Sequence, residues 1–220
     1  LGWEPSDSDS SRDLELRGLF IRLLANVGDD DLAIKNAGDL HDSYLVDAGS
    51  VEPNVAAAAT GVVASKGDSA QYEVFLDKYH NPTTPQEERR YQSALSAFSG
   101  EAEMDRTLAM SLDGTVRTQD APYLLAVCMR NKEQGYRAWE FVKSNWDKIN
   151  KDFPSNSIVR MLSGVTSLSK PEQAADVIAF FDDHEVPQGQ LTLQQTLEKL
   201  RVNVALRERE SGSFSDSLTS

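Results

Sequence analysis

The chain has 220 residues, 40% of them hydrophobic, which suffices for a core without disulfide or metal staples. It carries 35 acidic against 22 basic side chains, a net charge of -13, and its Lys and Arg are scattered among the acids. A nucleic-acid partner is therefore not expected, since binding one needs a basic stripe that displaces counterions, and no apolar run reaches the ~20 residues that span a bilayer.

The opening "LGWEPSDSDSSRD" has neither the basic start nor the apolar stretch of a signal peptide and does not begin with Met. The chain is expected to be a piece of a longer protein. In "RDLELRGLFIRLLANVG" the apolar set Leu16, Leu19, Phe20, Leu23, Leu24 and Val27 recurs at intervals of three and four, one face of an α-helix. Ser10 or Ser11 can cap its start and Gly28 can end it. The acids Asp29 to Asp31 suit the positive end of a second helix reaching about Val46. They lack the spaced ligands and closing glutamate of a calcium loop.

Pro53 fits the first turn of a helix to Ser65. "DSAQYEVFLDKYH" sets Tyr72, Phe75, Leu76 and Tyr79 on one face. "TPQEERRYQSALSAFSG" opens with Thr84 as cap and Pro85 in the first turn. "EAEMDRTLAMSLDG" and "TQDAPYLLAVCMRN" follow, then "GYRAWEFVKSNW", "SNSIVRMLSGVTSL", "KPEQAADVIAFFDDH" and "LTLQQTLEKLRVNVALRERE". About eleven helices joined by short loops result, without strand alternation or hairpin dipeptides. Short loops favour antiparallel neighbours, and about five pairs of roughly 40 residues match the period of a HEAT or armadillo-like solenoid. The expected fold is all-α, one solenoid domain over 1–209, with the Ser-rich 210–220 a disordered tail.

Groups for chemistry are sparse. His41, His80 and His184 are far apart, none in a zinc-binding H-E-x-x-H pair, and each is expected at a surface or helix end. There is no nucleophile elbow, P-loop or dinucleotide fingerprint. Cys128, the only cysteine, sits in "YLLAVCM" and reads as a small buried hydrophobe. It excludes an internal disulfide and fits a reducing compartment such as the cytoplasm, without establishing one. No catalytic or metal-ligating residue is assigned.

Tyr136, Trp139, Val142 and Trp146 fall at spacings of three, three and four, with Phe141 and Ile149 beside them. This stripe suits a buried seam between helices better than a ligand cage. The indole N–H groups need partners, and Asn145 is placed to orient the helix against its neighbour. In "VRTQD", Pro122 just downstream puts Asp120 or Ala121 at a helix cap. Two readings stay open. Asp120 caps the helix while Arg117 pairs with a nearby acid, or Arg117, with Gln119 beside it, faces a cavity and attracts a peptide carboxylate.

Taken in order, "LGW" (Leu1 to Trp3), "LRG" (Leu16 to Gly18), "QEERRYQSAL", "VRTQD", "AWEFVKSNW" (Ala138 to Trp146), the paired Phe180 and Phe181, and "LEKLRVNVAL" resemble the C-terminal helical domain of zinc aminopeptidases of the aminopeptidase N and puromycin-sensitive type. The resemblance runs to about residue 207. It departs at Asn54, where that family often has Arg, and at Leu206 and Arg207, where an aromatic is frequent. The resemblance implies that zinc and the catalytic acid belong to an upstream domain. It implies that this helical part closes over that domain, shapes the peptide cavity and has as partners the catalytic and N-terminal domains of its own chain and peptide substrates. The fragment alone would bind no zinc and cleave nothing. A free-standing helical scaffold that binds proteins on a concave face is the alternative, and a pseudoenzyme parent is a third reading.

Overall fold

The computed structural model describes residues 2–186 and 188–219, and of these the side chains up to residue 212. Leu1 of the "LGW" opening and Ser220 of the tail lie outside the described residues. Among the described residues the fold is all-α, with twelve α-helices, one 3-10 helix and no strand. The helices are α1 (Ser11–Asn26), α2 (Asp31–Val46), α3 (Pro53–Lys66), α4 (Ser69–His80), α5 (Pro85–Leu95), α6 (Glu101–Met110), α7 (Ala121–Cys128), α8 (Gly135–Ser144), α9 (Trp146–Asp152), α10 (Ser155–Met161), α11 (Pro171–Asp183) and α12 (Gln190–Thr219). The 3-10 helix, Leu162–Ser167, follows α10 directly.

Local chemistry explains the starts. Ser10 and Asp13 form a reciprocal capping box on α1, with N–H···O distances of 3.3 and 2.9 Å. Asp30 caps α2 by accepting from the Ala33 N–H at 2.7 Å, and Thr84 caps α5 by accepting from Glu87 at 3.1 Å. Prolines occupy the first turns of α3, α5, α7 and α11, where no N–H partner is lost. At the other end, α12 continues through residue 210, where a disordered tail is expected from the sequence. Serine is only mildly worse than the good helix formers, and a helix already nucleated gains a bond with each residue added.

The helices sort into two compact units, Leu1–Glu103 and Met104–Ser220, where the sequence reads as one domain over 1–209. In the first unit α3 is central. It contacts α1, α2 and α5, and α4 lies on α5. The Ala-rich α3 buries Val55, Ala56, Ala58, Ala59 and Val62. Chain neighbours thus do not simply pair, because α1 packs chiefly on α3. Gly18 permits that approach: a Cβ there would lie 2.8 Å from the Asn54 carbonyl oxygen. The buried residues of α1 are Arg17, Gly18, Ile21 and Ala25. The periodic apolar face lies on the outer side of α1, with Leu19, Phe20, Leu23, Leu24 and Val27 all exposed. The small side chains let α3 come close and leave the bulky ones pointing away.

His41 departs from the surface or helix-end position expected of it. It is not at the surface but 1% exposed, in contact with Tyr44, Phe75 and Tyr91. His80 does lie exposed at the end of α4, and His184 caps the C-terminus of α11 and stacks on Phe180.

In the second unit α7 packs on α10 and the 3-10 helix, and α12 lies on the 3-10 helix and α11. The aromatic stripe is core. Trp139, Val142, Trp146 and Ile149 are buried, while Tyr136 and Phe141 are partly exposed. Trp139 and Trp146 each meet Phe180 and Phe181 of α11 at centroid distances of 5.3–5.8 Å. The Trp139 indole N–H donates to Asp176 at 2.7 Å, and Lys143 donates to both oxygens of that carboxylate at 2.8 Å. Burial opposes the charge on Asp176, but the bonds from Lys143 and Trp139 outweigh it and hold the carboxyl below its ordinary range.

The stripe spans two helices rather than one. Asn145 ends α8, and its side-chain amide donates to the Phe141 carbonyl at 2.8 Å. That bond satisfies the helix end. Cys128 is fully buried, and burial pushes its thiol up to about 12.

Candidate functional site

An open groove of about 420 Å³ lies among α7, α10, the 3-10 helix and α12. α7 and the turn after it supply Tyr123, Ala126, Val127 and Arg130, at spacings of three, one and three, which is one helical face. α10 brings Val159 and Arg160, the 3-10 helix Ser163, and α12 Thr192 and Thr196 one turn apart. Gly189, with φ at +108°, makes the turn into α12 and passes so close to Val159 that an added Cβ would lie 2.6 Å from its Cγ1.

Two guanidinium groups flank this apolar floor. Arg130 Nη2 donates to Ser163 Oγ at 2.8 Å, and Arg160 Nη1 donates to Tyr123 Oη at 3.0 Å. Ser163 Oγ in turn donates to the Arg160 carbonyl at 2.7 Å, which ties the two sides together. Among the described residues neither arginine is paired with a carboxylate, in a chain where acids outnumber bases. Arg17, Arg117, Arg137 and Lys143 all have one. Two oriented guanidinium groups over apolar side chains suit a carboxylate joined to an apolar group.

The residues singled out from the sequence lie elsewhere. Arg117 and Gln119 are exposed in the segment before α7 and do not line the groove. Arg117 Nε donates to Asp120 at 2.9 Å. Asp120 makes no capping bond to α7, since its carboxylate is turned to Arg117. Arg117 is 60% exposed in this pair, so solvent screens the interaction. Arg117→Ala should change unfolding free energy by no more than ~1 kcal/mol in a urea titration. A larger loss would mean that the ion pair holds the segment before α7 in place. Arg130 and Arg160 escaped notice because they are 30 residues apart, and only the packing of α7 on α10 brings them to one groove. The one local signal was the apolar face of α7 ending in a cation.

Among the described residues no group of three or more His, Cys, Asp or Glu side chains is placed to hold a metal ion. Zinc therefore has no ligand set among them. Fold and groove together define an all-helical domain whose polar features suit holding a ligand. The chain belongs to the ERAP1-like C-terminal domain family, whose family model matches residues 1–202. It is 30% identical over 211 residues to Aminopeptidase M1 of Arabidopsis thaliana and 28% identical over 211 residues to Aminopeptidase M1-B of Oryza sativa subsp. japonica. Each alignment covers 92% of this chain and 24% of the relative. Endoplasmic reticulum aminopeptidase 2 of Homo sapiens is 26% identical over 211 residues, covering 93% of this chain and 22% of the relative. The chain thus spans about a quarter of the length of these relatives.

Proposed function

We propose that this C-terminal domain serves a zinc-dependent aminopeptidase that removes N-terminal residues from peptides. The domain closes over a catalytic domain carried elsewhere in the parent and helps to shape the peptide cavity. Relatives named as aminopeptidases support the activity of the parent. Zinc, when bound in that catalytic domain, would polarise the scissile carbonyl and activate water. The residues of this chain would confine and position the peptide.

One observation carries the peptide role. Among the described residues Arg130 and Arg160 present guanidinium groups bonded to hydroxyls, beside the apolar Ala126, Val127 and Val159. This suits the C-terminal carboxylate of a peptide together with its last side chain. Arg117 and Gln119 are proposed as further contacts in the closed enzyme.

The test uses the full-length protein and a matched pair of peptides, one with a free C-terminus and one amidated. Arg130→Gln with Arg160→Gln should raise KM for the free acid by ~10-fold, the loss of a charge-assisted bond, and leave kcat and the amide nearly unchanged. Equal effects on both peptides would remove the groove from the reading. A full-length protein with no aminopeptidase activity, but with protein partners retained by this domain, would favour the helical scaffold.

A further inference from the structure

α1 is apolar on two sides. Its inner side, with Ile21 and Ala25 around Gly18, lies on α3. Its outer side carries Leu16, Leu19, Phe20, Leu23, Leu24 and Val27 at helical spacing. Leu19, Phe20, Leu23 and Leu24 are each 41–47% exposed and Val27 is 78% exposed. Single exposed apolar residues are ordinary, but a continuous stripe along about three helical turns is not. A helix with two apolar faces has the pattern of one buried between neighbours.

We infer that the outer face of α1 is a joint, covered in the full-length protein by a helix of the same polypeptide from the N-terminal side of this chain. Three observations select that occupant. The relatives are about four times as long as this chain, so most of such a protein lies outside it. The segment leading into α1 is fastened to it, because Arg17 Nε donates to the Gly2 carbonyl at 3.2 Å and Arg17 Nη2 pairs with Asp9 at 2.7 Å. The segment from Gly2 to Asp9 is thereby held alongside α1. In addition, α3 shows the packing rule of this unit, taking α1, α2 and α5 around it, whereas among the described residues α1 has its main contacts with α2 and α3 and its outer side is left exposed. A second copy of the chain is the weaker occupant. One helix face is small beside the ~800 Å² per partner of a stable interface, whereas a covalently linked helix needs far less, because linkage raises its effective concentration.

The inference concerns assembly and holds whether or not the parent is an active peptidase. It is tested in the full-length protein with two single variants, Leu23→Cys on the stripe and Lys35→Cys on the polar face of α2, each labelled by maleimide and read peptide by peptide. Lys35 is 70% exposed and serves as the open reference. The thiol at 23 should react ~100-fold more slowly than that at 35, because a covered thiol is out of reach. Rates within a few-fold of each other overturn the joint. A photo-reactive benzoyl-phenylalanine at position 20 then names the occupant. Cross-links within one molecule to residues upstream of this chain are expected. Cross-links between two copies, or to residues downstream of α1, overturn the inference.

Discussion

Trp139→Ala should destabilise this chain by about 3–5 kcal/mol, the range for deleting a large buried aromatic side chain. The ring is fully buried and meets Phe180 and Phe181 at 5.3 and 5.8 Å. Its removal leaves a cavity between α8 and α11 that rigid helices fill only in part. Asp176 loses the indole N–H but keeps both bonds from Lys143, so its carboxylate is not stranded. Trp139→Phe goes far to separate the two contributions, retaining an aromatic ring while deleting the donor and part of the ring volume. It should cost roughly 1–2 kcal/mol, a net hydrogen bond plus some volume. Urea unfolding at neutral pH measures both. If Trp139→Ala unfolded within 0.5 kcal/mol of the parent, a range typical of surface substitutions, the seam between α8 and α11 would not be core.

Acidification should destabilise the first unit through His41. Burial lowers the pKa of this ring from 6.5 to about 4; nearby Asp42 pulls it up, and Arg90 and Lys78 push it further down. Thr60 Oγ1 donates to the Ala56 carbonyl at 2.7 Å, so its contact with His41 Nδ1 at 3.3 Å assigns the proton of the neutral ring to Nδ1. Among the described residues Nε2 has no partner, and neither has the nearby Tyr91 hydroxyl. Protonation would therefore place a charge on a buried atom with no acceptor.

The folded-state pKa lies below the unfolded one. Between about 6.5 and 4 the unfolded chain binds more protons, so stability falls as pH is lowered through that window. The loss is of the order of 3 kcal/mol once the window is crossed. His41→Phe keeps the contacts with Phe75 and Tyr91 and has nothing to titrate. Unfolding free energies at pH 7 and 4.5 should therefore fall more steeply for the parent than for the variant, by about 2–3 kcal/mol. Equal slopes would show that the folded state offers the imidazolium solvent or an acceptor.

Both expectations concern the cores that hold the groove and the α1 joint in place. Trp139 and Asp176 connect α8 to α11, and α11 contacts α12, whose Thr192 and Thr196 line the groove. Damage at position 139 should thus loosen the Arg130 and Arg160 side indirectly. The kinetic test of the two arginines is clean only where melting curves show the domain intact.

Much of this molecule was legible from local chemistry. Ser10, Asp30, Thr84 and the prolines at 53, 85, 122 and 171 announce helix starts through hydrogen bonds that reach only a few residues. Spacings of three and four identify which side chains share a face, as for Trp139, Val142 and Trp146. The order of short motifs from "LRG" to "LEKLRVNVAL" was enough to point to the family. The break at Asn145 is not legible in this way, because "GYRAWEFVKSNWDKIN" keeps helical spacing across it.

The groove and the joint were not legible, for one physical reason. Periodicity specifies that Leu19, Phe20, Leu23 and Leu24 lie together, but not which neighbour covers them. Gly18 and Ala25 win the contact with α3 because small side chains allow close approach of the helix axes, and the larger apolar face is left outward. His41 likewise is buried by Phe75 and Tyr91, which come from α4 and α5 and are adjacent to it only in space. The sequence by itself determined the helices, their faces and the acidic, all-α character of the chain, all set by interactions within a few turns. Tertiary structure alone decided which faces are covered and which cations meet, because burial and electrostatic pairing depend on helices far apart in the chain.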